Sequence, residues 1–171
     1  LLLPREAWDA HPNFPRQALL LNSHARFRRI SQALVEQARS GHPIGAIAQT
    51  FRRWKSAMRG HESYEEHKLY PFLAVRWGIS CDSMEAGHRE LAIADRAVRR
   101  ALQTAQKTGS SARLELTAAL HSHDTILLRH LQKEESVVVP ALLALRPDEF
   151  RAYSHGHIDT LLTRLQPVPH G

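Results

Sequence analysis

Along the chain, apolar residues recur at helical spacing in four long stretches. Leu19, Leu20, Ile30, Leu34 and Val35 mark the first, and Phe51, Trp54, Met58 and Leu69 the second. Leu91, Ala94, Val98 and Leu102 mark the third, and Leu116, Leu120, Leu127 and Leu131 the fourth. The first helix is predicted to open at Asn13 as cap, with Pro15 in its opening turn, and to stop at Ser40-Gly41-His42-Pro43. The second starts near Ile44, bends at Pro71 and ends at Gly78. Asp82 or Ser83 caps the third, which stops at Lys107-Thr108-Gly109; Ser110 or Ser111 opens the fourth, with Pro140 near its end. Pro147-Asp148-Glu149 reads as the first turn of a short fifth helix. Strand signals are scarce, with no Asn-Gly or Asp-Gly hairpin turn. Each long helix would span about 35–45 Å at ~1.5 Å per residue, and short connections force neighbours to run antiparallel. The expectation is therefore an all-α, up-down-up-down four-helix bundle over residues 17–145. A Pro-rich extended N-terminal arm (1–16) precedes it, and a C-terminal helix and tail (146–171) follow.

A length of 171 residues with 43% hydrophobic and 23% charged positions suits one domain with a real core. No stretch approaches the ~20 apolar residues of a membrane span, and Leu1-Leu2-Leu3 is too short for a secretory signal. The chain starts at Leu rather than Met, which reads as a trimmed or processed start. A single cysteine, Cys81, excludes an internal disulfide framework and fits a reducing, cytoplasmic setting; near a helix start its thiol pKa is expected to fall. The net charge of +6 comes from arginines scattered in small groups, which read as solvated faces, so neither a membrane nor a nucleic-acid partner is expected.

The 12 histidines carry more information. His61-Glu62-Ser63-Tyr64-Glu65-Glu66 is followed by Leu69-Tyr70-Pro71, and His130-Leu131-Gln132-Lys133-Glu134-Glu135 by Val138-Val139-Pro140. Both read His-x-x-x-Glu-Glu-x-x-aliphatic-x-Pro, displaced by 69 residues, while His24 and His88 sit on the first and third helices, displaced by 64. Residues i and i+4 share a helix face, so each His-x-x-x-Glu presents an imidazole and a carboxylate together, in step with core positions. Two carboxylates buried near the bundle axis would cost several kcal/mol each without counter-charge, and metal cations remove that cost. An isolated copy would read as a surface pair; two copies in register read as a metal site.

These residues resemble the hemerythrin-like, or HHE cation-binding, family over about Gln17 to Leu145. The family pattern is His on the first helix, His-x-x-x-Glu on the second, His on the third and His-x-x-x-Glu on the fourth, with trailing Leu-Phe-Pro segments. The resemblance implies a non-haem centre of two iron ions, with an oxo or hydroxo bridge. Glu65 and Glu134 would bridge the irons, and His24, His61, His88 and His130 would be terminal ligands. Oxygen-carrying members place a second histidine four residues from the one on the third helix. Here those positions are Met84 and Ala92, so one iron lacks a nitrogen. Glu62 is the candidate replacement, against a reading as an exposed partner of Arg59 or Lys55; Glu85 is a weaker candidate, and Tyr64 reads as a supporting or core residue. A carboxylate-richer site favours the ferric state, hence a sensor or a peroxide or redox role over oxygen carriage, with dioxygen, peroxide or nitric oxide as ligand. Manganese and zinc also suit such donors. An iron-sensing or iron-storage module, or a metal-stabilised interaction domain, is the alternative; whether the protein is an enzyme, and whether it forms a homo-oligomer, stays open. His123 lies two turns before His130 and is expected to orient a ligand or line a channel, whereas His155 and His157 are expected to help cap the bundle.

Overall fold

The computed structural model describes residues 3–14 and 19–165, and among them there is no strand. The long helices are α1 (Leu21–Arg39), α2 (Ile44–Tyr64), α4 (Asp82–Thr108) and α5 (Arg113–Leu143). A wide π turn, Glu65–Leu69, joins α2 to α3 (Tyr70–Trp77), and two short helices, α6 (Pro147–Ser154) and α7 (Ile158–Leu165), complete the chain. α1 packs on α2 and α5, and α4 packs on α5 and α2, an arrangement consistent with a four-helix bundle. No helix among the described residues is long and apolar enough to cross a membrane.

Several boundaries depart from the periodicity. The first long helix begins at Leu21, not at an Asn13 cap: Leu20 takes a left-handed backbone conformation (φ 61°), which turns the chain so that Leu19 is fully buried. Asn13 instead donates its side-chain amide to the carbonyls of Leu143 and Leu145, tying the arm to the end of α5. The arm is not simply extended, since Arg5–Ala7 forms a 3₁₀ turn and Trp8 is buried. The fourth long helix opens at Arg113 after a 3₁₀ turn, Gly109–Ala112. The C-terminal segment holds two helices: Gly156, at φ 80°, breaks it between Ser154 and Ile158. His155 and His157 lie exposed in that break; the His155 N–H closes α6 on the Arg151 carbonyl and the His157 carbonyl accepts from Leu161 of α7, so they cap these short helices and not the bundle. Pro15, Gln17 and the tail from Gln166, His170 included, fall outside the described residues.

Pro71 has no N–H and cannot complete an α-type bond to the carbonyl four residues back. The chain accommodates it with the π turn, in which the Tyr70 N–H bonds to the Glu65 carbonyl, and then continues to Gly78, whose left-handed backbone (φ 66°) ends α3. Pro140, at the matching repeat position, sits inside α5 without a π turn.

The core is split in two. One apolar half gathers Phe27, Leu34, Phe51, Trp54, Met58, Leu91, Val98 and Leu127. The other gathers Trp8, Leu19, Leu69, Phe72, Met84, Val138, Leu142 and Tyr153. On each long helix the histidine of the repeat falls between them: His24 between Leu19 and Phe27, His61 between Met58 and Leu69, His88 between Met84 and Leu91, His130 between Leu127 and Val138. The result is one polar layer across the bundle, enclosed by carbon on both sides.

Candidate metal centre

Within that layer His24, Glu65, His88, His130 and Glu134 are buried and His61 is nearly so, its side chain 10% exposed. Single donor atoms of His24, His61, Glu65 and Glu134 all lie within 4.8 Å of one another. The imidazoles form two pairs, with ring centroids 5.0 Å apart for His24 and His61 and 4.8 Å for His88 and His130. Both carboxylates stand between the pairs. Glu65 Oε1 is 2.6 Å from His61 Nε2 and 3.9 Å from His24 Nε2, while its Oε2 is 3.2 Å from His88 Nε2. Glu134 Oε2 is 3.5 Å from His24 Nε2 and 3.8 Å from His130 Nε2.

The donors fit a cation. Both oxygens of Glu65, Oε2 of Glu134 and both ring nitrogens of His130 make no well-aligned hydrogen bond among the described residues, the glutamate oxygens facing only imidazole nitrogens. Such atoms cost about 1–3 kcal/mol each when buried unpaired, more when charged. Imidazole and carboxylate together suit iron, manganese or zinc. Without a cation, protons must do the balancing. Burial and the neighbouring Glu65 push the Glu134 carboxyl up to about 8, whereas Glu65, despite its burial, is held well below the usual carboxylate range by His24, His61 and His88. Burial and the charge of His88 push His130 down to about 4.

The second glutamate of each repeat copy fixes a histidine of the other hairpin. Glu135 lies 3.0 Å from Nδ1 of His24, and Glu66 lies 2.7 Å from Nδ1 of His88. A carboxylate on Nδ1 leaves Nε2 free and aimed at the centre. Burial disfavours the imidazolium form of both rings, yet these carboxylates and Glu65 outweigh it and raise each to about 9. Glu135 is itself held by Arg28 at 2.6 Å and Arg5 at 3.0 Å; His24 and these two arginines overcome its burial and hold it at about 2. Arg5 belongs to the N-terminal arm, so the arm contributes to the layer. Both glutamates are visible in the repeat, but their role depends on which helix each one faces.

Two further residues shape the layer. Tyr70 follows the π turn and donates its hydroxyl to Glu134 Oε1 while lying 3.4 Å from His88 Nε2. The only hint in the sequence is a tyrosine where the family's trailing segment has phenylalanine. Gly87 leaves room for His130: a Cβ there would sit 2.3 Å from Nδ1 of that ring.

The remaining candidates separate cleanly. Glu62 is half-buried within electrostatic reach of His88, Asp95 and Glu65, and burial with nearby carboxylates pushes it up to about 7. Lys55 does not pair with Glu62 but with Asp95, at 3.0 Å. Glu85 is half-buried, 4.0 Å from Arg89, and Tyr64 packs with the second apolar half. His123 bonds Asp95 at 3.0 Å and packs edge-on against Trp54 and Phe51, in the first apolar half. The Cys81 thiol is not activated; burial and nearby carboxylates push it up to about 11.

A helical fold with a buried layer of histidine and glutamate donors defines a candidate cation-binding bundle. The profile of the hemerythrin HHE cation-binding domain matches residues 17–142, and the chain belongs to that family. No curated protein and no solved structure matches the chain significantly.

Proposed function

We propose that this hemerythrin-like domain is an up-down-up-down bundle over residues 17–145 that holds two iron ions. Of its metal candidates, His24 and His61 would hold one ion and His88 and His130 the other, with Glu65 and Glu134 within reach of both pairs and Glu62, near His88, offering an oxygen in place of the missing fifth imidazole. The observation that carries this reading is the placement of two buried carboxylates, with oxygens that make no well-aligned hydrogen bond, between two imidazole pairs. Bound iron supplies one-electron chemistry toward dioxygen, peroxide or nitric oxide. The protein's own groups hold the oxidised form: Glu66 and Glu135 raise the basicity of His88 and His24, and four carboxylates surround the layer. Tyr70 keeps a proton at Glu134 Oε1, since burial and the charges of Glu134 and Glu65 raise its own pKa. With Met84 and Ala92 flanking His88 there is no fifth imidazole, so we assign a sensor or peroxide or redox role over reversible oxygen carriage.

Stopped-flow absorbance tests this. Anaerobically reduced, iron-loaded protein mixed with dioxygen is expected to go to the ferric form without a lasting oxygenated species. A stable, reversible oxygen adduct would establish the carrier reading instead.

A further inference from the structure

On the outer face between α1 and α2 lies a groove of about 480 Å³, within the ~300–1,000 Å³ span of small-molecule sites. The buried Phe27 and Trp54 form its floor, and Ile30, Ala57, Asn22, Ser23 and Thr50 line the rest below the rim. The indole N–H of Trp54 is spent on the Phe27 carbonyl at 3.2 Å, so the floor offers only apolar surface. The rim carries two cations, Arg26 from α1 and Arg53 from α2, and no acidic residue lines the groove. Neither guanidinium has an ion-pair or hydrogen-bond partner among the described residues. Arg5, Arg28, Arg76, Arg129 and Arg146 are all paired with carboxylates.

An apolar trough between two unmatched guanidinium groups selects for shape and charge together. A neutral apolar molecule leaves both cations uncompensated, a cation is repelled, and a small hydrophilic anion gains nothing from the floor. We propose that this groove binds an organic carboxylate with a medium-length apolar body. The body would lie along Ile30, Phe27, Trp54 and Ala57, and the carboxylate would be held by Arg26 and Arg53, whose planar forks match its oxygens. The groove adjoins the donor layer, its Phe27 ring lying edge-on to His61 with centroids 5.2 Å apart, but no donor of the layer lines it.

The experiment titrates decanoate, below its aggregation concentration and at ~0.15 M salt, into the full chain as purified. Calorimetry gives affinity and stoichiometry, and Trp54 fluorescence reports the location. Saturable one-to-one binding is expected, with decanol at least about tenfold weaker and decyltrimethylammonium showing none, as expected where charge-assisted hydrogen bonds contribute. Arg26→Gln and Arg53→Gln should each weaken decanoate about five- to tenfold, and the pair together should remove saturable binding. Arg96→Gln with Arg99→Gln, an equal charge change on the exposed face of α4, should leave it unaltered. Ala57→Glu, at an exposed position, supplies an independent arm and should also abolish binding. Decanol binding as well as decanoate, full affinity in the Arg26/Arg53 or Ala57 variants, or equal weakening by the Arg96/Arg99 pair would each overturn the proposal.

Discussion

Replacing Gly87 with alanine tests how tightly the donor layer is built. In an ordinary exposed helix position, glycine to alanine stabilises by roughly 0.5–1 kcal/mol, because the unfolded chain loses freedom. Gly87 is not ordinary: the added Cβ would lie 2.3 Å from His130 Nδ1 and 3.1 Å from its Cγ and Cε1. Normal contact begins near 3.4 Å, so the imidazole must retreat by about 1 Å. A groove of about 190 Å³ lined by Gly87 and His130 lies beside the ring, so the ring can give way only by shifting its nitrogens within the donor layer. Overpacking of this kind costs ~1–3 kcal/mol, and a metal ligand tolerates only about 0.2 Å of error. Gly87→Ala should therefore lower metal-free stability by about 1–3 kcal/mol, where propensity alone would raise it, and weaken metal binding by at least about tenfold. Gly60→Ala is the matched control, because nothing lies within 4 Å of a Cβ at that helical position; it should gain ~0.5–1 kcal/mol. Urea denaturation of the metal-free proteins and chelator competition on the loaded ones give both numbers. If Gly87→Ala is stabilised like Gly60→Ala and holds metal as the parent does, His130 is not confined as described.

Glu135→Gln keeps an acceptor for His24 but strips Arg28 and Arg5 of their counter-charge, and should cost about 10–100-fold in metal affinity by chelator competition. Glu66→Gln should act in the same direction and less strongly, because Glu66 is 39% exposed and solvent screens it. Tyr70→Phe leaves Glu134 Oε1 without its donor and should cost ~1–3 kcal/mol in urea denaturation of the metal-free protein. Arg76, at 2.9 Å, holds the Glu149 carboxyl below the usual range despite its burial, with the Arg146 backbone N–H helping. A folded-state pKa below the unfolded value contributes stability above the unfolded pKa and loses it as pH falls through the folded one. The stability gap between parent and Glu149→Gln should therefore be full at pH 7 and close below about pH 4; a gap constant down to pH 3 would refute the assignment.

The helices and the four residues of the two His-x-x-x-Glu copies were legible because both follow from helical periodicity, which a sequence displays directly. His24 and His88 could be placed as the single histidine on the first helix of each hairpin, although their displacement of 64 differs from the 69 of the other elements. What stayed hidden depends on contacts between helices. Glu66 and Glu135 are plainly part of the repeat, yet only the packing of α1 on α5 and the approach of α4 to α2 show each serving the opposite hairpin. Gly87 looks like any helical glycine until the ring of His130 is set against it. The left-handed turn at Leu20 arises because burying Leu19 outweighs local propensity, which no window of neighbouring residues records. Cys81 shows the reverse error: a helix start suggested a lowered pKa, and burial beside carboxylates raised it.

Glu65 and Glu134 are proposed to share two ions between the two imidazole pairs. Iron content per chain of anaerobically reconstituted, desalted protein, measured by elemental analysis, tests it most directly. The account predicts two irons per chain in the parent, and the loss of both when Glu65 and Glu134 are changed together to alanine. One iron or fewer in the parent, or two retained by the double variant, would contradict it.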